Sequence, residues 1–570
     1  MNNLNFLVDV LKESPVFKTL EKNVKPGRAV CASGLSTINK SNIIYALCRL
    51  KGVTAFCLAS DEKEAQTLCN DLSCMGLRAY VYPVRDFNFL DFQSRSHEYE
   101  HARLKVLLKL INHECDVAIA CVDAAAQLTV PRNVLEQLVI EFEEGRELSL
   151  EKATKALTLL GYERFDAVEG SGQFSLRGGI LDFFMPDSDY PVRCEFWGDE
   201  ITDLSYFDIE TQRRFKKADK ITLSPSTEIV IEDRAALADK IEHKAKLLRS
   251  KNSAKAKEKL FSEAQLIRSG AMIANADKFI NQIYDKPESL FDYLDRNTLV
   301  FASEFTAIQE RGKSMDFISN ETLMQGFEDG TLCRGFDRFA LTFNECTEFL
   351  QSHGTIVLEN FVHGSMPIKL SEIISFSTKQ LSAWGGSYKQ LKEDVDGLFT
   401  PESKGVIFAG TERAAKNLCD TFNADGINAV YSEGADKISK GELLVMQGAL
   451  SAGFEYPSQK FFAITYSQVS YRPEKSKKKK KKTGQEIYSL SELAPGDYVV
   501  HNVHGIGVFG GIRKIDTHGV IKDYIKIDYA KGDVLYVPVT QLDMVAKYIG
   551  PKEDSRVKLN RLGSGDWPKA

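Results

Sequence analysis

Residues 495–539 read PGDYVVHNVHGIGVFGGIRKIDTHGVIKDYIKIDYAKGDVLYVPV, and this stretch decides how the C-terminal part of the chain folds. Residues 524–529, YIKIDY, alternate apolar and polar side chains with the period of a half-buried strand. Residues 535–539, LYVPV, predict another strand, and Pro538 suits a sheet edge because proline donates no ladder hydrogen bond. Four or five short strands in roughly 45 residues predict a small SH3-like (Tudor-like) β-barrel.

The same stretch contains a motif that imitates a nucleotide site. Residues 505–510, GIGVFG, match the dinucleotide fingerprint GxGxxG. That fingerprint requires a following helix whose N-terminus holds pyrophosphate, but residues 511–515, GIRKI, are β-branched. We therefore interpret the glycines as a sharp corner of the sheet with positive φ angles.

Composition limits the classes of protein that the chain can represent. A length of 570 residues predicts three or four domains, and a net charge of −6 means that contact with nucleic acid requires a local basic patch. The N-terminus has no long apolar run, so neither a signal peptide nor a membrane span is predicted. The 11 cysteines include no CxxC pair, which is typical of free thiols in a bacterial cytoplasm. His501 and His504 have no nearby thiols, and we predict no metal site.

Residues 1–138 alternate apolar strands with helices, the pattern of a parallel sheet covered on both faces. Between the first strand and helix, residues 34–41 read GLSTINKS, which is the phosphate-loop pattern GxxxxGK[ST] with asparagine in place of the second glycine. Such a loop holds phosphates and Mg²⁺ through its amides, its lysine and its hydroxyl. The candidate nucleotide-site residues are Gly34, Asn39, Lys40 and Ser41.

Several parts of the chain resemble known repair proteins. Residues 495–539 resemble the RNA-polymerase-interacting domain of bacterial transcription-repair coupling factors, which is shared with CarD-type regulators. Residues 289–305, SLFDYLDRNTLVFASEF, resemble the strand that carries the DExH motif in the excinuclease component UvrB. This second resemblance puts Ala302 where an aspartate helps to hold Mg²⁺, and a methyl group cannot bind a hard cation. We therefore predict a degenerate, inactive nucleotide site, with no catalytic residue and no cofactor; ATP and Mg²⁺ belong to the motor of full-length relatives.

Residues 172–184, GQFSLRGGILDFF, and 191–200, PVRCEFWGDE, resemble the second domain of UvrB, which is inserted into the first. The resemblance implies that this module docks onto UvrA, the damage-recognition component of the excinuclease, through Arg177, Arg193 and Trp197. Two arginines beside an aromatic side chain are typical of a binding hot spot. In the alternative interpretation, Trp197 lies in the core and the arginines pair with Asp199, Glu200 or Asp203.

The resemblance of residues 495–539 implies that this domain binds the RNA polymerase β subunit. An exposed edge strand can extend the sheet of a partner, and we predict that edge at residues 511–516. Ile515 matches the apolar contact position of the family. Its predicted neighbours in the contact are Val508, Ile512, Arg513 and Lys514. Basic residues also protect an unpaired edge from aggregation, so the partner is identified by the resemblance alone.

The predicted fold class is a multidomain α/β protein with a UvrB-like parallel body, an inserted α+β domain, a second small α/β domain and a C-terminal barrel. The predicted order is 1–138 (first part of the body), 139–224 (inserted domain), 225–344 (helical second part of the body), 345–470 (small α/β domain), 471–485 (lysine-rich linker), 486–549 (barrel) and 550–570 (start of a segment that leads to a motor). No second phosphate loop or DExH box follows, so the chain is expected to be the non-motor part of a larger protein.

The leading hypothesis is an adaptor that links stalled RNA polymerase to UvrA. Two alternatives come from other classes of protein. One is an ATP-dependent enzyme that resembles UvrB or a helicase and has an atypical phosphate loop. The other is a DNA-binding regulator that acts through the barrel and the six lysines at 477–482. Basic residues within 232–283 are interspersed with acidic ones, which favours a solvated helical face and weak or no DNA contact.

Overall fold

The structure is a computed structural model, and its description is restricted to part of the chain. The described residues are 4–85, 98–138, 140–248, 254–270, 276–362, 366–385, 387–466, 484–486, 496–501, 505–517, 520–530, 533–538 and 545–548. The chain divides into two compact units, residues 1–471 and residues 472–570, and each is described by itself. Most of the predicted linker at 471–485 and all of 550–570 lie outside the described residues.

Short apolar strands alternate with helices in residues 4–138, as the sequence predicts. The elements are α1 (Asn5–Lys12), α2 (Pro15–Asn23), β1 (Ala29–Ser33), α3 (Thr37–Lys51), β2 (Ala55–Ala59), α4 (Glu62–Cys74), β3 (Ala79–Tyr82), α5 (Glu98–Ile111), β4 (Val117–Cys121), α6 (Val122–Ala126) and α7 (Arg132–Gln137). The side chains of Ser14 and Asp61 cap α2 and α4, and Gly52 ends α3 in the left-handed conformation. β1, β2 and β4 are buried throughout, as strands between two helical layers must be.

A largely antiparallel sheet interrupts this pattern. Its segment contains β5 (Ile140–Glu143), α8 (Leu150–Leu159), β6 (Glu163–Arg164), β7 (Gln173–Arg177), β8 (Ile180–Phe183), β9 (Val192–Trp197), β10 (Glu200–Phe207), β11 (Arg214–Lys217) and β12 (Lys220–Leu223). Six strands form one sheet in the order β11-β10-β9-β8-β7-β6. β5 pairs with β12, so the chain enters and leaves this segment on adjacent antiparallel strands.

The chain then returns to the parallel sheet. The next elements are α9 (Arg234–Leu247), α10 (Ala254–Arg268), α11 (Ile280–Ile283), β13 (Leu299–Ser303), α12 (Phe305–Asp329), α13 (Phe343–His353), β14 (Ile356–Leu358) and β15 (Leu370–Ser375). The completed sheet has the order β15-β1-β14-β13-β2-β4-β3, and every neighbouring pair in it is parallel. It includes β14 and β15, beyond the boundary at residue 344 that the sequence suggested, because α13 is a crossover helix that returns the chain to this sheet.

A second α/β sheet follows in the same compact unit. It is built from β16 (Lys379–Leu381), α14 (Tyr388–Leu398), β17 (Lys404–Phe408), α15 (Glu412–Ala424), β18 (Ala429–Ser432), β19 (Glu442–Met446), β20 (Gly453–Tyr456) and β21 (Phe461–Thr465). Its order is β16-β20-β21-β17-β19-β18. The side chain of Thr411 caps α15. One hydrophobic cluster joins Phe408 and Phe461 of this sheet to Ile43 of α3, so the two sheets share a core.

The second compact unit is an antiparallel sheet in the described residues. Its strands are β22 (Gly484–Glu486), β23 (Tyr498–His501), β24 (Gly505–Thr517), β25 (Val520–Asp528), β26 (Val534–Pro538) and β27 (Val545–Tyr548), in the order β22-β27-β23-β24-β25-β26. Pro538 lies in a terminal strand, as predicted. The described strands pair in an order with two ends, so the predicted closed SH3-like barrel is not confirmed.

The GxGxxG motif lies within β24, so strand and not helix follows it. The interpretation of its glycines needs a correction, because the positive φ, 90°, belongs to Gly511, where the pairing with β25 shifts register. Gly507 and Gly510 instead pack closely against side chains of β25. A side-chain carbon at Gly507 would lie 2.4 Å from Ile527, and one at Gly510 would lie 2.6 Å from Asp528.

Candidate functional site

The loop that follows β1 is closed by contacts within the protein. Gly34 has a φ of 78°, and a side-chain carbon there would lie 2.2 Å from the carbonyl oxygen of Phe376. The amide of Gly34 donates to the carbonyl oxygen of Asn360 at 3.1 Å. The amide of Leu35 donates to the carbonyl oxygen of Glu359, also at 3.1 Å. Two amides that would wrap around phosphate in a nucleotide-binding loop are therefore already paired.

Lys40, in the first turn of α3, is held by acidic side chains of the protein. Its side chain is 2% exposed, and Nζ lies 2.6 Å from Glu304 Oε1 and 3.3 Å from Glu64 Oε1. Nζ also donates a hydrogen bond to Ser303 Oγ at 2.9 Å. A buried ammonium group needs such partners, and here carboxylates stand where a phosphate loop would present phosphate oxygens.

The remaining residues of the predicted nucleotide site are also buried. Ser41 Oγ donates to the carbonyl oxygen of Thr37 at 3.3 Å and to Asp71 Oδ2 at 3.4 Å. Asn39 lies inside α3, and Ala302 lies in β13 between β2 and β14. In the part of the chain that the structure describes, no group of three or more histidine, cysteine, aspartate or glutamate side chains is arranged to hold a metal ion.

The carboxyl groups around Lys40 differ in their acidity. Burial disfavours the charged form of Glu64, but Lys40 and neighbouring hydroxyl donors outweigh it and hold the pKa of Glu64 below its ordinary value. Burial raises the pKa of Glu359 from 4.5 to about 7. The nearby Glu304 carboxylate adds to this effect, against the hydrogen bond that the Phe305 amide donates to Glu359 at 2.8 Å.

In the inserted sheet, one carboxylate joins the two predicted docking arginines. Asp182 of β8 is 1% exposed and lies opposite Arg193 of β9. Arg193 Nε and Nη2 donate to the two oxygens of Asp182 at 2.7 and 2.8 Å. Arg177 Nη2 donates to the same carboxylate at 2.7 Å. Sequence reasoning missed Asp182, because a hairpin around the Gly178–Gly179 turn places it near Arg177 alone, and its position opposite Arg193 depends on the separate pairing of β8 with β9.

Trp197 lies on the surface of the inserted domain with 83% of its area exposed. Along β9, Arg193, Glu195 and Trp197 alternate with buried residues, so these three side chains share the outer face. The alternative interpretation, with Trp197 in the core, is therefore wrong. Both arginines donate to Asp182, and Asp203, one of the acidic residues that the alternative named, accepts a hydrogen bond from Arg214 instead.

The segment predicted to contact polymerase lies in the long strand β24. Val508 pairs with Tyr498 on one side and with Asp528 on the other. On the β23 side the backbone hydrogen bonds end at Phe509, which bonds to Gly496 and Asp497. Beyond Phe509 the described pairings continue on one side only, where Ile512, Arg513, Lys514 and Ile515 pair with Ile525, Tyr524, Asp523 and Lys522 of β25. Within the described residues, this half of β24 therefore has the one-sided pairing of an edge strand.

The basic helices within 232–283 carry internal ion pairs. Arg268 donates to Asp239 and Glu242, each at 2.7 Å. Lys278 is buried against Glu263 at 2.5 Å. Cations that are neutralised in this way offer little charge to a phosphate backbone.

Comparison with known families assigns two of these sheets. The model of the UvrB interaction domain matches residues 140–229, which include the Asp182 cluster and Trp197. The model of the CarD-like/TRCF RID domain matches residues 493–549, which include β24. The fold and its sites therefore define a multidomain protein that combines a UvrB interaction domain with a CarD-like/TRCF RID domain.

The chain is also similar to curated proteins along most of its length. The chain is 29% identical to the transcription-repair-coupling factor of Bacillus subtilis over 98% of its own length and 48% of that protein. It is 28% identical to the factor of the same name from Staphylococcus haemolyticus, over 86% of this chain and 42% of that protein. The chain is thus a relative of the transcription-repair-coupling factors, which confirms the resemblance seen in its motifs. It spans about half the length of the curated relatives that it matches.

No helix among the described residues is long and apolar enough to cross a membrane. All eleven cysteines are free thiols, and nine of them are buried.

Proposed function

We propose that this chain is a non-catalytic adaptor in transcription-coupled nucleotide-excision repair. In this proposal the inserted domain recruits UvrA, and the second half of β24 binds the RNA polymerase β subunit. The observation that carries the proposal is the presence of a UvrB interaction domain and a CarD-like/TRCF RID domain in separate compact units of one chain. An adaptor needs two docking surfaces that work independently. The location of the two domains in separate compact units supports such independence.

The exposure of Trp197 supports the docking role of the inserted domain. A tryptophan buries a large apolar area when it enters a pocket, and few residues contribute as much to an interface. Its exposure is costly in water unless a partner covers it for part of the protein's working cycle. Arg177, with 48% of its side chain exposed, adds a cation on the same sheet face.

The one-sided pairing of β24 supports the docking role of the second unit. A strand with unpaired main-chain groups can accept a strand of another protein, and the main-chain hydrogen bonds then supply affinity while alternate side chains supply specificity. Ile515 is the proposed apolar contact, with Ile512, Arg513, Lys514 and Val508 around it. A closed SH3-like barrel remains a prediction and is not needed for this mode of binding.

The proposal assigns the ATP-driven motor to a part of the relatives that this chain does not span. Within the chain, Lys40 and the amides of Gly34 and Leu35 are engaged by protein groups, so we propose that the loop after β1 binds no nucleotide. DNA contact by the chain alone is proposed to be weak or absent, because cations such as Arg268 are neutralised within the fold.

The proposal is tested by asking whether one chain bridges its two partners. The full chain is mixed with immobilised UvrA and then with the N-terminal lobe of the polymerase β subunit. We expect the lobe to be retained only when the chain is present. Trp197→Ala should abolish capture of the chain by UvrA, and Ile515→Arg should abolish retention of the lobe while capture of the chain persists.

Two substitutions serve as matched controls. Phe215→Ala removes another exposed aromatic side chain of the inserted domain, and Tyr536→Arg places a cation on an exposed position of the terminal strand β26. Both variants should bridge the partners like the unmodified chain. Loss of bridging in the controls alone, or bridging that survives both Trp197→Ala and Ile515→Arg, contradicts the proposed surfaces. Failure of the unmodified chain to bind either partner contradicts the proposed function.

A further inference from the structure

The two arginines of the docking surface differ in how much of their charge they can offer to a partner. Arg193 is 12% exposed and donates two hydrogen bonds to Asp182. Its Nη1 also donates to the carbonyl oxygen of Gln212 at 3.2 Å, and its guanidinium lies 4.5 Å from the centre of the Phe207 ring. With its fork paired and one face stacked, Arg193 has the surroundings of a structural side chain.

The guanidinium of Arg177 is hydrogen-bonded through one nitrogen, and about half of the side chain is exposed. Among the described residues, Asp182 is the side chain to which its guanidinium donates, through Nη2. Nε and Nη1 remain available for a second acceptor. A guanidinium that is anchored at one nitrogen loses less conformational entropy on binding than a mobile one, so the anchor prepares it for a partner.

Asp182 connects these two environments. Its carboxylate accepts three hydrogen bonds, two from Arg193 and one from Arg177. Arg193 therefore orients the carboxylate, and the carboxylate orients Arg177. We infer that Asp182 and Arg193 are positioning residues, and that Arg177 and Trp197 are the side chains that contact the partner.

This inference rests on the proposed function and specifies the chemistry of its partner. Asp182 balances one of the two positive charges of Arg177 and Arg193. Glu195 on the same face is paired with Arg214. Arg177, Arg193 and Asp182 therefore present one net guanidinium beside a large apolar ring. The complementary surface on UvrA is then a carboxylate next to an apolar pocket. A partner surface with two carboxylates would instead require both arginines to be available.

A double-mutant cycle on the full chain separates positioning from direct contact. Binding to UvrA is measured by calorimetry for Asp182→Asn, Arg177→Ala and the double variant. We expect each single substitution to weaken binding roughly tenfold, since a charge-assisted hydrogen bond is lost or misdirected. The double variant should bind no more weakly than Arg177→Ala, because Asp182 acts through Arg177. Losses that multiply in the double variant overturn the positioning role.

Arg193 is tested by the same measurement. Arg193→Lys should weaken binding as much as Arg193→Ala, because one ammonium group cannot replace a two-pronged guanidinium on Asp182. Added to Asp182→Asn, neither substitution should weaken binding to UvrA any further. An additional loss of binding in such a double variant would show that Arg193 contacts the partner directly, and would overturn its assignment as a positioning residue.

Control measurements keep the outcomes distinct. Asp203→Asn changes a carboxylate on the same sheet that pairs with Arg214, and this variant should bind normally. Thermal melting tests whether each variant is folded. If Asp182→Asn is unfolded, the test is made by comparing the UvrA binding of Arg193→Lys with that of Arg177→Ala. Absence of binding by the unmodified chain overturns the proposed function and this inference together, whereas normal binding by folded Asp182→Asn overturns the inference alone.

Discussion

Lys40 Nζ lies 2.6 Å from the carboxylate of Glu304, inside the loop where the sequence pattern suggests a phosphate site. Glu304 begins the turn into α12 with a φ of 54°, a conformation that non-glycine residues seldom adopt. The lysine of a phosphate-loop pattern has thereby become a counter-ion for the protein's own acidic groups. This ion pair explains how the pattern can persist in a domain that we propose to be free of nucleotide.

Nucleotide binding is the direct test of this interpretation. We expect a fluorescent ATP analogue to show no Mg²⁺-dependent binding to the full chain, because the ammonium group and the loop amides are engaged and Ala302 offers no ligand to the metal. Fluorescence anisotropy over a range of chain concentrations measures this. Tight binding in Mg²⁺ that disappears in Lys40→Ala would contradict the interpretation and favour the enzyme alternative.

Removal of the lysine should destabilise the first unit. Lys40→Met leaves the carboxylates of Glu64 and Glu304 without their cation, and breaking a buried pair in this way costs roughly 3 kcal/mol. Urea unfolding of the full chain measures the loss. Lys63→Met, at an exposed position of α4, is the matched control and should have little effect. Equal stability of the two variants would show that the ion pair contributes nothing.

Glu359 should make stability depend on pH. Because its folded-state pKa is raised from 4.5 to about 7, the folded protein binds this proton more tightly than the unfolded chain. The stabilisation of the folded protein by this tighter proton binding is present in full below pH 4.5 and is lost as the pH rises through about 7. Glu359→Gln removes the ionisation. The change that it causes in the free energy of unfolding should therefore be more favourable at pH 8 than at pH 5, by about 1 kcal/mol or more.

Thermal melting between pH 5 and pH 8 measures this difference. Glu348→Gln on the exposed face of α13 is the control for replacing a glutamate by glutamine, and it should have little effect on stability. A pH-independent effect of Glu359→Gln would contradict the assigned acidity.

Gly34 should be required by packing as well as by its backbone conformation. Gly34→Ala forces a side-chain carbon against the carbonyl oxygen of Phe376, and we expect a loss of about 2 kcal/mol or more. Gly426 has a similar φ, 81°, but no atom within 4 Å of the added carbon. Gly426→Ala therefore isolates the backbone term, about 1 kcal/mol. Urea unfolding compares the two variants, and equal losses would mean that the contact with Phe376 adds no strain.

Local patterns predicted most of the individual elements. Residues 524–528 and 535–538 lie in strands, as the runs YIKIDY and LYVPV predict. The extent of the first sheet was less predictable. β14 contains three residues, and such a short run carries no periodicity that would assign it to a sheet whose other strands lie far away in the chain.

The sequence by itself determined the alternation of strands and helices in the first part of the chain and the position of Pro538 in a terminal strand. Each of these depends on side-chain size, on backbone preference or on a missing functional group, which are properties of single residues and short runs. Tertiary structure alone decided which charges meet. Lys40 and Glu304 are 264 positions apart, and Asp182 reaches Arg177 and Arg193 only through the register of three strands. Electrostatic partners are set by distance and burial in space, and these follow from how the sheets assemble.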